Sequence, residues 1–368
     1  MPAPTPPFVP GLELSRLFYL EAVRPLVAAA APGIPHCAAR LGDGSEVLGH
    51  DTPRSADHEW GPRLQLFLSA ADLEQYGARI DALLADQLPK RFRGYPTHFA
   101  STDDAGIGVM RETDGPVRHR IEISEPAAWF TGRLGFDPTR GITNADWLAT
   151  PDQRLAEATS GTVFHDGLGT PTAARTALAW YPRDLWLYVL ACQWQRVSQE
   201  EAFVGRCGEV GDELGAAVVA ARLVRDLMRL CLLMERHYPP YSKWLGSAFA
   251  RTRIATALTS HLVATVAATD RERRERHLAR AFETVATAHN RLELTDPVDP
   301  STRPYHSRPY RVLHAERFAS ALTARIEDPA LRALPPTGTV DQFVDNTDVL
   351  TRPTRARTVV NALYEQGS

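Results

Sequence analysis

Apolar positions along the chain change their period part-way through. From Leu12 to Ala30, the residues Leu14, Leu17, Phe18, Leu20, Ala22 and Val23 recur at helical spacing, and Pro32 with Gly33 closes the run. That spacing predicts an amphipathic helix. His36 to Leu41 is a short apolar stretch running into Gly-Asp-Gly-Ser, the pattern of a strand ending in a glycine turn. Arg63 to Leu68 alternates polar and apolar residues, Ala70 to Leu88 returns to the helical period, and Arg118 to Ser124 alternates again. The chain up to residue 135 or so therefore predicts mixed helices and strands.

From about Pro151 the pattern is helical. Asp184 to Val197, Glu209 to His237, Arg253 to Ala268 and Asp270 to Leu292 are rich in Ala, Leu and Arg at helical spacing, with few strand signals between them. Gly161, Gly167, Gly169 and Pro171 cluster where a linker is expected, with Thr170 placed to cap the next helix. Thr295 to Pro309 holds four prolines and is expected to cross the surface without regular structure. The expected layout is α+β, with a mixed-sheet domain over residues 1–165 and an α-helical domain over 166–368.

Composition narrows the function classes. A chain of 368 residues has length for two domains, and 44% hydrophobic with 23% charged residues describes a folded chain rather than a disordered one. Its 41 basic and 44 acidic residues leave a formal charge of −3, so no global field exists to hold a polyphosphate backbone or an anionic membrane. Nonspecific nucleic-acid binding is disfavoured. Met1 to Pro10 shows neither a basic nor an apolar leader segment, and no stretch of about 18 apolar residues occurs, so the expectation is a cytoplasmic protein without a membrane span. Cys37, Cys192, Cys207 and Cys231 have no metal-like spacing and read as free thiols, mostly buried. Among the basic residues, Lys90 and Lys243 are the two lysines and all others are arginine.

Candidate chemistry concentrates between Gly42 and Trp60, GDGSEVLGHDTPRSADHEW. A Gly-Ser turn opening a helix offers unsatisfied N–H groups and a hydroxyl to an anion, and glycine lets a phosphate approach the backbone. Gly44 and Ser45 are placed for that role. Asp57 and Glu59 are one residue apart, and in extended backbone such side chains share a face and can converge on one hard cation. The alternative is a solvated turn with two surface acids. His58 between them is expected to point away and to pack or support. Arg63 follows closely, placed to bind phosphate or to pair with an acid.

Gly44, Ser45, Gly49, Ser55, Asp57 and Glu59 resemble the signature of the polymerase-β-like nucleotidyltransferase superfamily, a Gly-Ser turn followed by two acids flanking one position. The wider chain is similar to an uncharacterised bacterial family of such proteins with a helical C-terminal domain, through the segments SADHEWGPR and PYSKW. Two departures are visible. Leu48 stands where many relatives carry arginine, and Ser55 precedes the first acid by two residues instead of one.

The resemblance implies a third carboxylate on a later strand. Glu122, in Arg-Ile-Glu-Ile-Ser, matches by position, with Asp103, Asp104 and Glu112 as competitors. It also implies one or two Mg²⁺ held by Asp57, Glu59 and Glu122, with ATP as donor, Gly44 and Ser45 on its phosphates, and Lys243 reaching the triphosphate from the helical half. A lysine retained in an arginine-rich chain suits a point charge for phosphate, while the other reading of Lys243 is a surface residue lying over Trp244. Tyr241 and Trp244 are candidates for base stacking, and His165 and Asp166 for the hinge. Glu200, Glu201, Asp212 and Glu235 are open as catalytic base.

The expected activity is Mg²⁺-dependent transfer of AMP from ATP to a hydroxyl of a small-molecule acceptor. Transfer to a protein side chain and a noncatalytic nucleotide-sensing or partner-binding role stay open beside it. Neither a P-loop, a GxSxG elbow nor an HExxH motif occurs. Arg271 to Arg276 mixes signs and reads as a solvated helix face.

Overall fold

A computed structural model describes residues 6–101 and 107–364, an α+β chain. Asp103 and Asp104 lie outside the described residues. The chain divides into two compact units, one formed by residues up to Ile142 with Arg154–Ala179, the other by Thr143–Gln153 with the chain from Trp180 onward.

The first unit is built on a four-stranded sheet. Its strands are β1 (His36–Arg40), β2 (Arg63–Leu68), β3 (Arg120–Ser124) and β4 (Thr162–Asp166), in the order β3-β2-β1-β4. β1 runs antiparallel to both β2 and β4, and β2 runs parallel to β3 with Gln65 opposite Glu122. Helix α1 (Gly11–Phe18) passes through a π-turn (Tyr19–Val23) into α2 (Arg24–Ala30), and α3 (Ala70–Gln87) starts at Ser69, whose hydroxyl accepts from the Asp72 N–H. Leu14, Phe18, Val23 and Val27 pack with Leu64, Leu66 and Leu68 of β2 and with Ile80 and Leu84 of α3. Fully burying each such side chain contributes roughly 1.5–3 kcal/mol. The alternate residues of β2, Arg63, Gln65 and Phe67, face the other way, and Phe67 meets Trp129 of α4 (Pro126–Leu134) edge-on at 5.8 Å.

The glycine-rich stretch expected to be a linker is instead part of this sheet. Residue 165 lies inside β4, and Gly161 sits at φ 71° where a Cβ would come 2.1 Å from the Arg40 carbonyl oxygen. Its glycine serves close approach of two strands. The next helix, α7 (Thr170–Ala177) in a count that includes α5 (Asn144–Ala149) and α6 (Asp152–Thr159), is capped by Asp166, which accepts from the Gly169 and Thr172 N–H groups, and not by Thr170.

The second unit is helical around α8 (Arg183–Glu200), in which every residue from Leu185 to Trp194 is buried. A helix apolar on all sides belongs at a core. Trp194 stacks on Phe318 of a later helix (Glu316–Thr323) at 4.5 Å. The helix expected from Glu209 to His237 is divided: α9 (Phe203–Glu209) ends before Gly211 at φ 74°, and α10 (Glu213–Met234) begins with Asp212 accepting from Gly215 N–H. α11 (Ser242–Phe249), α12 (Ala255–Ala267) and α13 (Arg271–Asn290) follow. Within Thr295 to Pro309, Arg303–Pro304 pairs with Arg311–Val312 as a short ribbon. Among the described residues no helix is long and apolar enough to cross a membrane, and all four cysteines are free thiols.

Candidate functional site

Beyond β1 the chain from Leu41 to His50 doubles back in tight turns. Val47 N–H donates to Gly44 O (3.2 Å), Gly49 N–H to Glu46 O (3.1 Å) and His50 N–H to Ser45 O (2.7 Å). No regular helix opens at Ser45, which corrects that expectation. The Gly44 and Ser45 N–H groups and the Ser45 hydroxyl nonetheless make no hydrogen bond among the described residues, so three donors are held at one turn without a partner.

Gly44 is required by what lies beneath it. Its φ is 151°, and a Cβ there would sit 2.6 Å from Arg40 Nη2 and Glu46 Oε2 and 2.7 Å from Arg63 Nη2. Glu46, only 2% exposed, accepts at Oε1 from Arg40 Nε (2.8 Å) and from Arg63 Nε (3.1 Å) and Nη2 (2.7 Å), while its Oε2 has no partner. Arg40 donates its two remaining nitrogens to the Leu41 and Asp43 carbonyls. Burial, joined by the like charge of Arg63, pushes Arg40 down to about 10 although Glu46 opposes this. For Glu46, burial works against ionisation, but Arg40 and Arg63 outweigh it and hold the carboxyl below its usual range.

Arg63 joins the turn to the expected acids. Its Nη2 donates to the Asp43 carbonyl (3.3 Å), and its Nη1 stands 3.6 Å from Glu59 Oε2. Glu59 also accepts from Arg120 Nη2 (2.7 Å) and from the Gly108 N–H, and returns its own N–H to Gly108 O (2.9 Å). Glu122 is drawn in from β3: it accepts from Gln65 Nε2 (3.3 Å), Trp129 Nε1 (3.1 Å) and Arg133 Nη2 (3.3 Å). Arg133 stacks over the Trp129 ring at 4.4 Å and also donates to Asp43 (3.2 Å), which Arg154 binds from another side (2.8 Å) while holding Glu157 (2.8 Å). Desolvation by the surrounding chain works against ionisation of Asp43, whose side chain is still open to solvent, and Arg154 and Arg133 overcome it and hold the carboxyl below its usual range.

Arg63, Glu59 and Glu122 thus belong to one ionic network, and the Gly44–Ser45 turn is packed against it at Gly44. Asp57 does not join it. Residues 57–59 form a bend rather than a strand, with Glu59 at φ 45°, so the shared face expected of Asp57 and Glu59 is not formed. Asp57 is exposed and pairs with the ring of His58 (2.9 Å), which is itself exposed instead of packed. Among the described residues no three His, Cys, Asp or Glu side chains gather as a metal site. Asp57, Glu59 and Glu122 therefore do not fit Mg²⁺ as arranged, because guanidinium groups of Arg63, Arg120 and Arg133 already neutralise the two inner acids.

In the second unit Lys243 is exposed on the first turn of α11, with its ammonium 4.9 Å from the Trp244 ring centre. Tyr241 is exposed, and Trp244 is half-buried. All four candidate bases have structural partners: Glu200 binds Arg222, Glu201 accepts from the Leu313, His314 and Ala315 N–H groups, Asp212 caps α10, and Glu235 accepts from the Arg253 and Ile254 N–H groups ahead of α12. Sequence reasoning missed Arg40, Asp43, Glu46, Arg133, Arg154 and Glu157. A signal existed for Arg40 alone, a charge closing an apolar strand.

A family model described as "Domain of unknown function (DUF4037)" matches residues 147–245. No curated protein matches the chain. Among solved structures, a nucleotidyltransferase-like protein from Exiguobacterium sibiricum 255-15 is similar at 10% identity over 86% of this chain and 89% of that one, with a TM-score of 0.31.

Proposed function

We propose that the first unit binds a nucleoside triphosphate at the Gly44–Ser45 turn and that the chain transfers a nucleotidyl group, AMP from ATP to a hydroxyl of a small molecule. One observation carries this reading: three donors without a partner among the described residues lie at a glycine turn whose Gly44 is packed against Arg63, and the Arg63 guanidinium also reaches Glu59. Backbone N–H groups at a glycine turn and a nearby arginine are the chemistry that holds phosphate oxygens. In the reaction the acceptor oxygen attacks the α-phosphorus in line, the bond to pyrophosphate breaks, and the hydroxyl proton is released. The turn and Arg63 would stabilise charge that builds on the phosphoryl oxygens.

A second reading, nucleotide binding without transfer, is favoured by the state of the acids, since Glu59 is committed to Arg120 and Gly108. Titration calorimetry with ATP, with and without Mg²⁺, tests the shared element, and pyrophosphate release with a pool of small hydroxyl compounds separates the two. Ser45→Ala with Arg63→Gln is expected to weaken ATP at least about tenfold. Absence of ATP binding by the wild-type chain in both conditions would sink both readings, and binding without pyrophosphate would leave the second.

A further inference from the structure

The helical unit contains a half-open cavity of about 640 Å³ that the proposed reaction does not use. It lies among the C-terminal end of α10, the start of α12 and one face of α13, and its volume falls in the range of small-molecule sites. Cys231, Met234, Ile254, Ala257, Ala288 and Leu292 give it apolar walls. Charge is confined to Glu235, Glu283, Arg253, Arg280 and Arg291.

Hydrogen-bond donors and acceptors around this cavity do not balance. Glu235 spends both oxygens on the Arg253 and Ile254 N–H groups, and Arg253 Nε lies 3.5 Å from the same carboxylate. Glu283 is equally committed, accepting at Oε1 from the Thr302 N–H and hydroxyl and at Oε2 from Arg280 Nη1 (3.0 Å). Both carboxylates are therefore satisfied by the protein itself. Arg280 uses one of its five N–H donors on Glu283, and the side chain of Arg291, exposed just beyond α13, has no partner among the described residues. Thr284 and Thr287, which also line it, spend their hydroxyl protons on the Arg280 and Glu283 carbonyls, and a cavity of mixed lining whose unpaired charge is cationic selects an apolar body with an anionic head.

We infer that this cavity is a binding site for a small organic anion with an apolar body. The probes are 8-anilinonaphthalene-1-sulfonate and its uncharged counterpart N-phenyl-1-naphthylamine, followed by fluorescence on the full chain. Ala288→Phe fills the cavity from α13 and Ala257→Phe from α12, and each is expected to weaken both probes at least about tenfold, with circular dichroism confirming the fold. Arg280→Ala with Arg291→Ala is expected to weaken the sulfonate about tenfold, the share of one exposed charge-assisted contact, and to change the neutral probe less than about twofold. Sulfonate binding that survives both filling variants would overturn the site. Equal loss of both probes on removing the arginines would overturn the anion selectivity.

Discussion

Replacing Glu46 by glutamine tests the ionic network at its centre. Glu46 shares one oxygen between Arg40 and Arg63, and Arg40 is as buried as the glutamate. Glutamine keeps the volume and one acceptor oxygen but removes the charge, and its amide group would add N–H donors at the partnerless Oε2 position, in a site where two guanidiniums already supply the donors. Breaking a buried pair by removing one partner costs about 3–5 kcal/mol, and the retained oxygen places this change at about 3. Each 1.4 kcal/mol is tenfold, so amides of β1 and β2 that exchange by opening of the first unit should exchange roughly a hundredfold faster in the variant. Hydrogen exchange read by mass spectrometry on peptides from 36–41 and 63–68 reports this unit apart from the helical one. The sign with pH follows from the lowered carboxyl. Its stabilisation is present above the unfolded value of 4.5 and is lost as pH falls through the lower folded value, so wild type and variant differ fully at pH 7 and converge in acid. A difference below about threefold at pH 7, or one unchanged in acid, would refute the reasoning. Arg40→Met completes a double-mutant cycle, in which a coupling near zero would be equally damaging.

Other consequences are simpler to measure. Gly205→Ala would bring a Cβ within 2.2–2.6 Å of the Tyr310 ring, and overpacking of this kind costs about 1–3 kcal/mol, so unchanged thermal unfolding would contradict the packing described. Burial raises the Cys37 and Cys192 thiols to about 12 and Cys231 higher still, so an aromatic disulfide reagent should label only half-buried Cys207 in the native chain, whereas rapid labelling of two or more sites would disprove this. Burial, outweighing the Ala315 and Leu313 N–H groups, raises Glu201 to about 7, so the folded chain binds a proton more tightly than the unfolded one. Its contribution therefore falls as pH rises from 4.5 to 7, by about 3 kcal/mol at most, and Glu201→Gln should flatten denaturant stability across that window relative to wild type. Parallel curves would show that Glu201 does not titrate there.

What the amino-acid pattern reveals, and what it hides, divides along a physical line. Arg63–Leu68 and the helix from Ala70 were legible because burial of one face imposes a period, and each is observed within a residue of its expected span. The Gly44–Ser45 turn was also legible as a feature, since glycine at that position answers to a positive φ and to close approach of the Arg40, Glu46 and Arg63 side chains. The network around it was not, because its members come from three stretches far apart in the chain, Arg40, Asp43 and Glu46, then Arg133, then Arg154 and Glu157, and charge has no period along a chain. Apart from Arg40, which closes an apolar strand, each looks in sequence like a surface residue, and Glu46 is distinguished only by its burial between Arg40 and Arg63. Asp57 and Glu59 show the opposite failure. Their spacing suggested one shared cation, yet an Asp-His-Glu bend and the reach of Arg120 give each acid a different partner. Spacing states which side chains can converge, while the positive groups that compete for them lie far away in sequence. A nucleotide at the Gly44–Ser45 turn would add phosphate oxygens to the same competition, and Arg63, already shared between Glu46 and Glu59, is the residue through which its arrival would be felt by the acids.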